Sequence, residues 1–241
     1  MKRHCIPLTL AAFAVLVCAA CNDSPGRPSP GSEVIPPDQI VEFNVLYGQN
    51  CAGCHGTGGN GGAAIALRDP VFLAIADDAA IRHVSANGVR GTAMPAFAQS
   101  AGGMLTDKQI DVLVSGIRSW AQSGLISGAN PPPYAAKTSG DPQRGADVYQ
   151  TFCSSCHGSD GMGGRKASSI VDGSYLALVS DQYLRTTVIA GRPELGAPDW
   201  RENMSGRPMS DQEITDVLAW LVSRRAHNPG QPYPDPKNMQ H

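Results

Sequence analysis

The chain is poor in aromatic residues and in charge of either sign. Phe, Trp and Tyr make up 6% of its 241 residues and charged residues 17%, with a formal net charge of −2. Because basic residues are not in excess, the composition gives no electrostatic basis for binding nucleic acid. Alternation of the β type is missing over any useful length, which argues against a sheet. So few large apolar side chains predict a thin core that something other than side chains fills.

The first residues have the pattern of an export signal. A basic start, "MKRH", precedes the apolar run from Ile6 to Val17, which is too short to span a bilayer comfortably. The "CAAC" that follows resembles a lipobox, although Cys18 stands where Leu is commoner. We predict a signal peptide over residues 1–20 and a lipid on Cys21. Ordinary secretory cleavage and an uncleaved signal anchor are the alternatives.

The cysteine count supports the lipid. The chain has seven cysteines, of which Cys5 and Cys18 leave with the signal and four others form two CxxC pairs. Cys21 is then the unpaired one, and an unpaired cysteine in an exported protein needs an explanation such as a thioether-linked lipid. We therefore expect a periplasmic, membrane-anchored lipoprotein.

Three segments rich in Pro, Gly and Ser divide the chain. Residues 21–37 hold the lipidated cysteine and a flexible tether, residues 127–140 form a Pro-rich linker, and residues 228–241 form a Pro-rich tail. Such segments bury too little apolar surface to fold and are expected to be extended spacers. Between them lie two predicted domains, residues 38–126 and 141–227.

The two blocks are an internal repeat. Equivalent residues lie 102 to 104 positions apart from one end of the block to the other. The pairs are Tyr47 with Tyr149, Cys51 with Cys153, His55 with His157, Arg82 with Arg185, Gly88 with Gly191, Pro95 with Pro198, Phe97 with Trp200, Thr106 with Ser210, and Ile110 with Ile214. A drift of only two positions indicates duplicated domains.

Each block has three helical patterns, which predict an all-α fold. The predicted helices cover 38–50, 77–88 and 106–120 in the first block, and 141–152, 180–191 and 210–225 in the second. Gly88 and Gly191 end the middle pair and suit a left-handed C-cap. Thr106 and Ser210 open the last pair with capping boxes.

Both first helices run into the pattern CxxCH, which is typical of c-type haem attachment. The copies are Cys51, Cys54 and His55, and Cys153, Cys156 and His157. Two thiols about one helical turn apart can both add to the vinyl groups of a porphyrin, and the histidine can then bind the iron. A thioredoxin-like site, a four-cysteine zinc site and a structural disulfide are the competing interpretations.

From about residue 38 onward, the chain resembles the bacterial dihaem cytochromes c with two class I-like domains. The resemblance implies two tandem domains, each wrapped around one covalent haem c, with His55 and His157 as the fifth iron ligands. It also implies a sixth ligand from a Met that precedes Pro ahead of the last helix. In the first block this is Met94, followed by Pro95. The alternative for Met94 is ordinary core packing.

The second block has Ala197 at this position, and alanine cannot bind iron. Met209 is the predicted sixth ligand of the second haem. Met204 and an iron without a sixth protein ligand are the alternatives. Met209 aligns with Leu105, so its other interpretation is a hydrophobic staple at the start of the last helix.

The expected function is electron transfer, without catalysis. The resemblance implies partners such as a quinol-oxidising complex, a haem–copper oxidase or a dehydrogenase, and no nucleic acid. A redox enzyme of the peroxidase type or a gas-responsive haem sensor is the alternative if the second iron lacks a sixth protein ligand. A fixed subunit of one larger complex is a third interpretation.

Some side chains have weaker signals. Arg82 and Arg185 are candidates either for haem propionates or for a solvated helix face. His83 is expected at the surface, and Phe97 and Trp200 are expected to pack against a haem or in the core.

Overall fold

The computed structural model describes residues 34–122 and 124–226. The predicted signal peptide, Cys21 and most of the tether, as well as the tail 228–241, lie outside the described residues. Contacts divide the chain into Met1–Gln39 and Ile40–His241. In the described part of the first unit, Pro37–Gln39 form a single 3-10 turn.

The second unit is helical, and its described residues contain no strand. Five helices of the first repeat (residues 40–122) are matched in order by five of the second repeat (residues 140–226). The first set is α1 Phe43–Asn50, α2 Ala52–His55, α3 Pro70–Ile75, α4 Asp78–Asn87 and α5 Asp107–Arg118. The second set is α6 Pro142–Phe152, α7 Ser154–His157, α8 Gly173–Leu178, α9 Asp181–Ala190 and α10 Asp211–Ser223. The predicted all-α class is confirmed.

The helices α5 and α10 start at the predicted capping residues, and two further helices have caps that were not predicted from the sequence. Thr106 and Ser210 each close a full capping box at the start of α5 and α10. Asp77 and Ser180 accept hydrogen bonds from the first turns of α4 and α9. Each cap satisfies a backbone N–H that has no partner inside the helix.

The first predicted helix starts later than its pattern indicates. It was expected from residue 38, but α1 begins at Phe43, and Glu42 before it makes no side-chain cap. The carbonyl oxygen of Ile40 accepts a hydrogen bond from Nε2 of Gln109, 2.9 Å away on α5. This long-range bond uses the carbonyl that a longer helix would need for its own ladder.

The helices α3 and α8 were not predicted, and arginines from the last helical segment hold them in place. Arg118 donates to the carbonyl oxygens of Leu73 and Ala76 at the end of α3. Arg225 donates to the matching carbonyls, at 2.9 Å for Leu176 and 3.1 Å for Val179. For α3 the sequence does contain a local start signal, Asp69 followed by Pro at the first helical position. In the structure Asp69 caps the helix, accepting hydrogen bonds of 2.9 Å from the N–H groups of Val71 and Phe72.

The first and last helices of each repeat pack through a large residue against a glycine. In the first repeat Phe43 on α1 covers Gly116 on α5, where an added Cβ would lie 2.0 Å from the ring. In the second repeat the sizes are exchanged: Gly145 on α6 lies against α10 beside Trp220. In each repeat a glycine on one helix makes room for a large side chain on the other, so both helix pairs approach closely.

Part of the Pro-rich linker, at Pro133 and Tyr134, is held against the second repeat and is not a free spacer, whereas residues 135–139 are exposed. Arg185 is 1% exposed. Its guanidinium donates to the carbonyl oxygens of Pro133, at 2.9 Å, and Tyr134, at 3.1 Å. It also binds Thr215 and Asp211 on α10. Arg185 therefore attaches the linker to the second repeat, so neither a propionate partner nor a solvated helix face describes it.

The other weaker signals have mixed outcomes. Arg82 is partly exposed and pairs with Asp107 and Asp111 within the first repeat. Trp200 is 3% exposed and belongs to the core, and His83 lies at the surface as expected. Within residues 34–122 and 124–226, no helix is both long and apolar enough to cross a membrane.

Candidate haem sites

Each CxxCH segment forms one tight helical turn directly after the first long helix. The N–H of Cys51 donates to the carbonyl oxygen of Tyr47, and the N–H of His55 to that of Cys51, both at 2.9 Å. The second copy repeats these bonds from Cys153 and His157, at 2.9 and 3.0 Å. The turn therefore brings two thiols and an imidazole together on a short rigid segment, as the sequence predicted.

Both histidines are oriented through the nitrogen that would not bind a metal. Nδ1 of His55 lies 2.9 Å from the carbonyl oxygen of Ile65. Nδ1 of His157 lies 2.8 Å from that of Ser168. A carbonyl can only accept, so Nδ1 carries the proton and Nε2 keeps its lone pair for a ligand. Such a carbonyl partner is the usual support of a metal-binding imidazole.

The surroundings of His55 also favour the neutral imidazole. Burial lowers the pKa of His55, and the nearby charge of Arg192 acts in the same direction, while the bond to Ile65 opposes them. The imidazole is therefore held neutral, which is the state that binds a metal.

The thiols do not have the ionisation of a redox-active dithiol. Burial and the neighbouring Cys54 raise the pKa of Cys51 to about 11. In the same way, burial and Cys156 raise the pKa of Cys153 to about 12. Reactive CxxC sites instead lower the pKa of their nucleophilic thiol. All four cysteines are free, and no cluster of metal-binding side chains occurs in the described residues, so they form neither a disulfide nor a zinc site here.

Met94 lies in the loop after α4, and a backbone hydrogen bond within that loop fixes its position. The N–H of Val89 donates to the carbonyl oxygen of Met94 at 2.9 Å. Gly88 has a φ of +64° and a ψ of −167°, so its positive φ was expected but its conformation is not the left-handed C-cap. An added Cβ there would lie 2.7 Å from the Met94 carbonyl oxygen. Gly88 is thus required for the close approach of this loop to the end of α4.

Ala197 occupies the same place in the second repeat. The N–H of Arg192 donates to its carbonyl oxygen at 2.9 Å. Gly191 has φ +73° and ψ −170° and lies as close to the loop, with an added Cβ 2.8 Å from that oxygen. The loop therefore makes the same bond to the residue after the glycine in both repeats, while its side chain differs.

The methionines differ in their packing. Met94 is half-buried and belongs neither to the core cluster nor to the partly buried side chains that pack on it. Met204 packs against that cluster, and Met209 is part of it at 2% exposure. The N–H of Met209 donates to Trp200 at 2.8 Å, as the N–H of Leu105 donates to Phe97. Met209 thus has the backbone position of Leu105, and its role as a ligand stays a prediction.

The chemistry of these donors fits a covalently attached haem. Each repeat offers two free thiols and an imidazole with Nε2 available, all on one turn. The first repeat adds a half-buried thioether that does not take part in the core. Thiols for attachment and imidazole or thioether for iron are the ligands that c-type haem uses.

Sequence reasoning did not place Arg192 and Glu194 next to the first site. Arg192 donates from Nη2 to the carbonyl oxygen of Gly62, 2.6 Å away in the first repeat. Glu194 lies against Gly61 on the same loop. The available signal was a difference between the repeats, because Arg192 stands where the first repeat has Val89.

The family model for "Cytochrome C oxidase, cbb3-type, subunit III" matches residues 38–115 and again residues 140–221. The chain belongs to this family. Its two matched segments coincide with the two repeats, so the predicted tandem cytochrome c domains are confirmed as the fold class.

The relatives of the chain are subunits of respiratory complexes. A "Cbb3-type cytochrome c oxidase subunit FixP" from Sinorhizobium medicae is 30% identical over 162 residues, which cover 60% of this chain and 50% of the relative. A "Cytochrome bc1 complex cytochrome c subunit" from Mycobacterium bovis is 26% identical over 192 residues, 77% of this chain and 64% of the relative. The chain thus spans about half the length of the oxidase subunit.

Among solved structures, a reducing HAO-like protein complex of Kuenenia stuttgartiensis is similar. It is 18% identical with a TM-score of 0.42, covering 80% of this chain and 100% of the other.

Proposed function

We propose that this chain is a dihaem cytochrome c that transfers single electrons and catalyses no reaction of its own. The observation that carries the proposal is the pair of CxxCH turns, each with its imidazole oriented by a carbonyl oxygen on Nδ1. When bound, each haem supplies an iron that gains and loses one electron at a time. Membership of the cytochrome family supports the same function.

The residues of the chain provide attachment, ligation and shielding. Cys51 and Cys54 hold the first haem and Cys153 and Cys156 the second. His55 and His157 bind the irons on one side. Met94 is the proposed sixth ligand of the first haem, and a thioether there raises the reduction potential relative to a second histidine.

Haem content tests this proposal. The chain is expressed with its export signal in a host that matures c-type cytochromes, and its mass and haem content are measured. We expect two covalent haems per chain. The variant C51A/C54A is expected to keep one haem and C153A/C156A the other. A wild-type chain that matures without covalent haem would contradict the proposal.

The sixth ligand of the second haem separates the carrier from the alternative function. Met209 stays the predicted ligand, although its backbone position is that of Leu105. Met209→Leu tests this ligand by inserting the residue that the first repeat has at the same position, Leu105. Met204→Leu is the matched variant. Loss of a methionine–iron signal in one variant identifies that ligand.

The presence of Ala197 is the specific observation that favours the alternative, a redox enzyme or gas-responsive sensor. A second haem that is high-spin in the wild type and binds carbon monoxide when reduced would support it. Two low-spin haems that take up no carbon monoxide would exclude it and support the carrier.

We also propose a location and partners. The chain is anchored at the periplasmic side of a membrane by a lipid on Cys21, which lies outside the described residues. A haem–copper oxidase or a quinol-oxidising complex is the proposed partner because the relatives are subunits of such complexes. A dehydrogenase stays the third prediction. Cys21→Ser is expected to release the protein from membranes, and co-purification with a complex would separate a fixed subunit from a mobile carrier.

A further inference from the structure

The side chain of Arg192 leaves its own repeat and enters the first one. It is 9% exposed, although an arginine is normally solvated at its tip. Nη2 donates to Gly62 at 2.6 Å, Nε to Oε1 of Glu194 at 2.5 Å, and Nη1 to the hydroxyl of Tyr183 at 3.2 Å. Three partners from two repeats therefore fix the planar guanidinium.

Glu194 contacts the same loop at Gly61, the residue before Gly62. A Cβ added to Gly61 would lie 2.6 Å from Oε1 of Glu194. The N–H of Gly61 in turn donates to the carbonyl oxygen of His55 at 2.8 Å. The Arg192–Glu194 pair thus contacts Gly61 and Gly62, in the segment that follows His55.

A second bond joins the loop of Met94 to the second repeat. The N–H of Ala93, next to Met94, donates to the carbonyl oxygen of Leu178 at the end of α8, 3.1 Å away. Both loops that frame the first site, the one after His55 and the one before Met94, are therefore bonded to the second repeat.

We propose that Arg192 and Glu194 form a clamp that fixes the loop after His55 against the second repeat and holds the guanidinium of Arg192 next to the first haem site. This inference rests on the proposed function. Arg192 is a positioning residue: it does not bind the iron, but it holds the loop of His55 through Gly62. Its positive charge, which Glu194 partly offsets, favours the reduced iron because that state carries one positive charge fewer, and so raises the reduction potential of the first haem.

The clamp has no equivalent in the first repeat. In the first repeat the same place is held by Val89, which has no charged head and cannot reach across. The loop of Ala197 therefore carries a contact that the loop of Met94 lacks. An ordinary surface ion pair does not explain this arrangement, because Arg192 is buried and binds a backbone carbonyl of the other repeat.

The experiment compares Arg192→Val, Arg192→Lys and the control Arg82→Gln in the haem-loaded protein. Arg192→Val inserts the residue of the first repeat, Arg192→Lys keeps the charge, and Arg82 has its partners within the first repeat. Hydrogen exchange of the Ala93 amide reports the bond to Leu178. Spectroelectrochemical titration gives the two potentials, and Met94→His assigns the first because a second histidine lowers it.

In Arg192→Val we expect faster exchange at Ala93, by about tenfold or more, as loss of a charged hydrogen bond implies. We also expect a lower potential for the first haem and an unchanged one for the second. Arg192→Lys should keep the potential of the first haem, and Arg82→Gln should match the wild type in both measurements. An Arg192→Val protein with wild-type exchange and potentials would overturn the clamp.

The outcomes distinguish the clamp from the proposed function. A wild-type chain without covalent haem contradicts the function, while exchange at Ala93 still tests the clamp. If Arg192→Val does not fold, Glu194→Gln replaces it. That variant removes the negative charge, so it should raise the first potential and speed exchange at Ala93, and an absence of both effects again overturns the clamp.

Discussion

Met94 and Ala197 occupy the same position in the two repeats. The carbonyl oxygen of each accepts a hydrogen bond of 2.9 Å from the residue that follows the glycine after the middle helix, Val89 or Arg192. This carbonyl is thus held by the same hydrogen bond in both repeats, while the side chain at this position differs, a thioether in the first repeat and a methyl group in the second.

Removing the thioether of Met94 is expected to open the first site. In Met94→Ala the first iron loses its sixth ligand, because the core methionines of the second repeat pack elsewhere. We expect loss of its methionine–iron charge-transfer band in the ferric protein and new binding of carbon monoxide in the reduced protein. Met104→Ala is the matched control, since Met104 is 82% exposed in the same repeat. An unchanged spectrum in Met94→Ala would show that Met94 is not a ligand.

A side chain at Gly88 is expected to displace the Met94 loop. In Gly88→Ala the new Cβ meets backbone atoms 2.5 Å away. Gly91→Ala is the control, because Gly91 also has a positive φ, +76°, but has open space around it. We expect Gly88→Ala to lower the free energy of unfolding by about 1–3 kcal/mol more than Gly91→Ala, the usual range for overpacking.

The displacement has a spectroscopic consequence. If the end of α4 positions Met94, Gly88→Ala also weakens the methionine–iron band, whereas Gly91→Ala leaves it intact. Equal losses of stability in denaturant unfolding of the two variants would contradict a packing role for Gly88.

Asp216 is expected to make the second repeat sensitive to acid. Burial alone would raise its pKa, but hydrogen bonds from Arg144, the N–H of Asp141 and Gln212 together hold the pKa of Asp216 below its ordinary value of 3.8. A carboxylate with a lowered pKa in the folded state stabilises the fold above the ordinary value. That contribution is lost as the pH falls through the lowered one.

Asp216→Asn tests this coupling. At pH 7 we expect a loss of about 1–3 kcal/mol in the free energy of unfolding, because the N–H of Asp141 and the amide of Gln212 lose a charged acceptor. The difference from wild type should shrink as the pH falls below 3.8. Denaturant unfolding across this range measures it, with Asp147→Asn on the exposed side of α6 as the control. A difference that stays constant with pH would contradict the role of the charge.

The glycines between the first and last helices are expected to tolerate no added methyl group. Gly116→Ala meets the ring of Phe43, and Gly145→Ala meets the carbonyl oxygen of Asp216, each at 2.0 Å. We expect losses of about 1–3 kcal/mol, with the larger loss for Gly145→Ala because backbone yields less than a ring.

Gly48→Ala is the matched control for both glycines. It lies inside α1 with nothing within 4 Å of an added Cβ. There the substitution should stabilise the helix by about 0.5–1 kcal/mol. Denaturant unfolding gives all three values, and a stabilised Gly116→Ala protein would show that the helices are not in close contact at Phe43.

The sequence by itself determined the features that depend on nearby residues. The capping boxes at Thr106 and Ser210, the CxxCH turns and the equivalence of Met94 with Ala197 all follow from spacings of a few residues or from the regular offset of the repeat. They survive in the structure because helix starts and single turns are decided by local hydrogen bonds.

Only the tertiary structure decided the features that join distant segments. Arg185 attaches part of a Pro-rich stretch through carbonyls about fifty positions away, and Gln109 takes the carbonyl of Ile40, ahead of the late start of a predicted helix. Arg192 reaches Gly62 across the two repeats. A long polar side chain has no preferred partner in its own neighbourhood, so its destination depends on which backbone carbonyls the packed fold leaves within its reach.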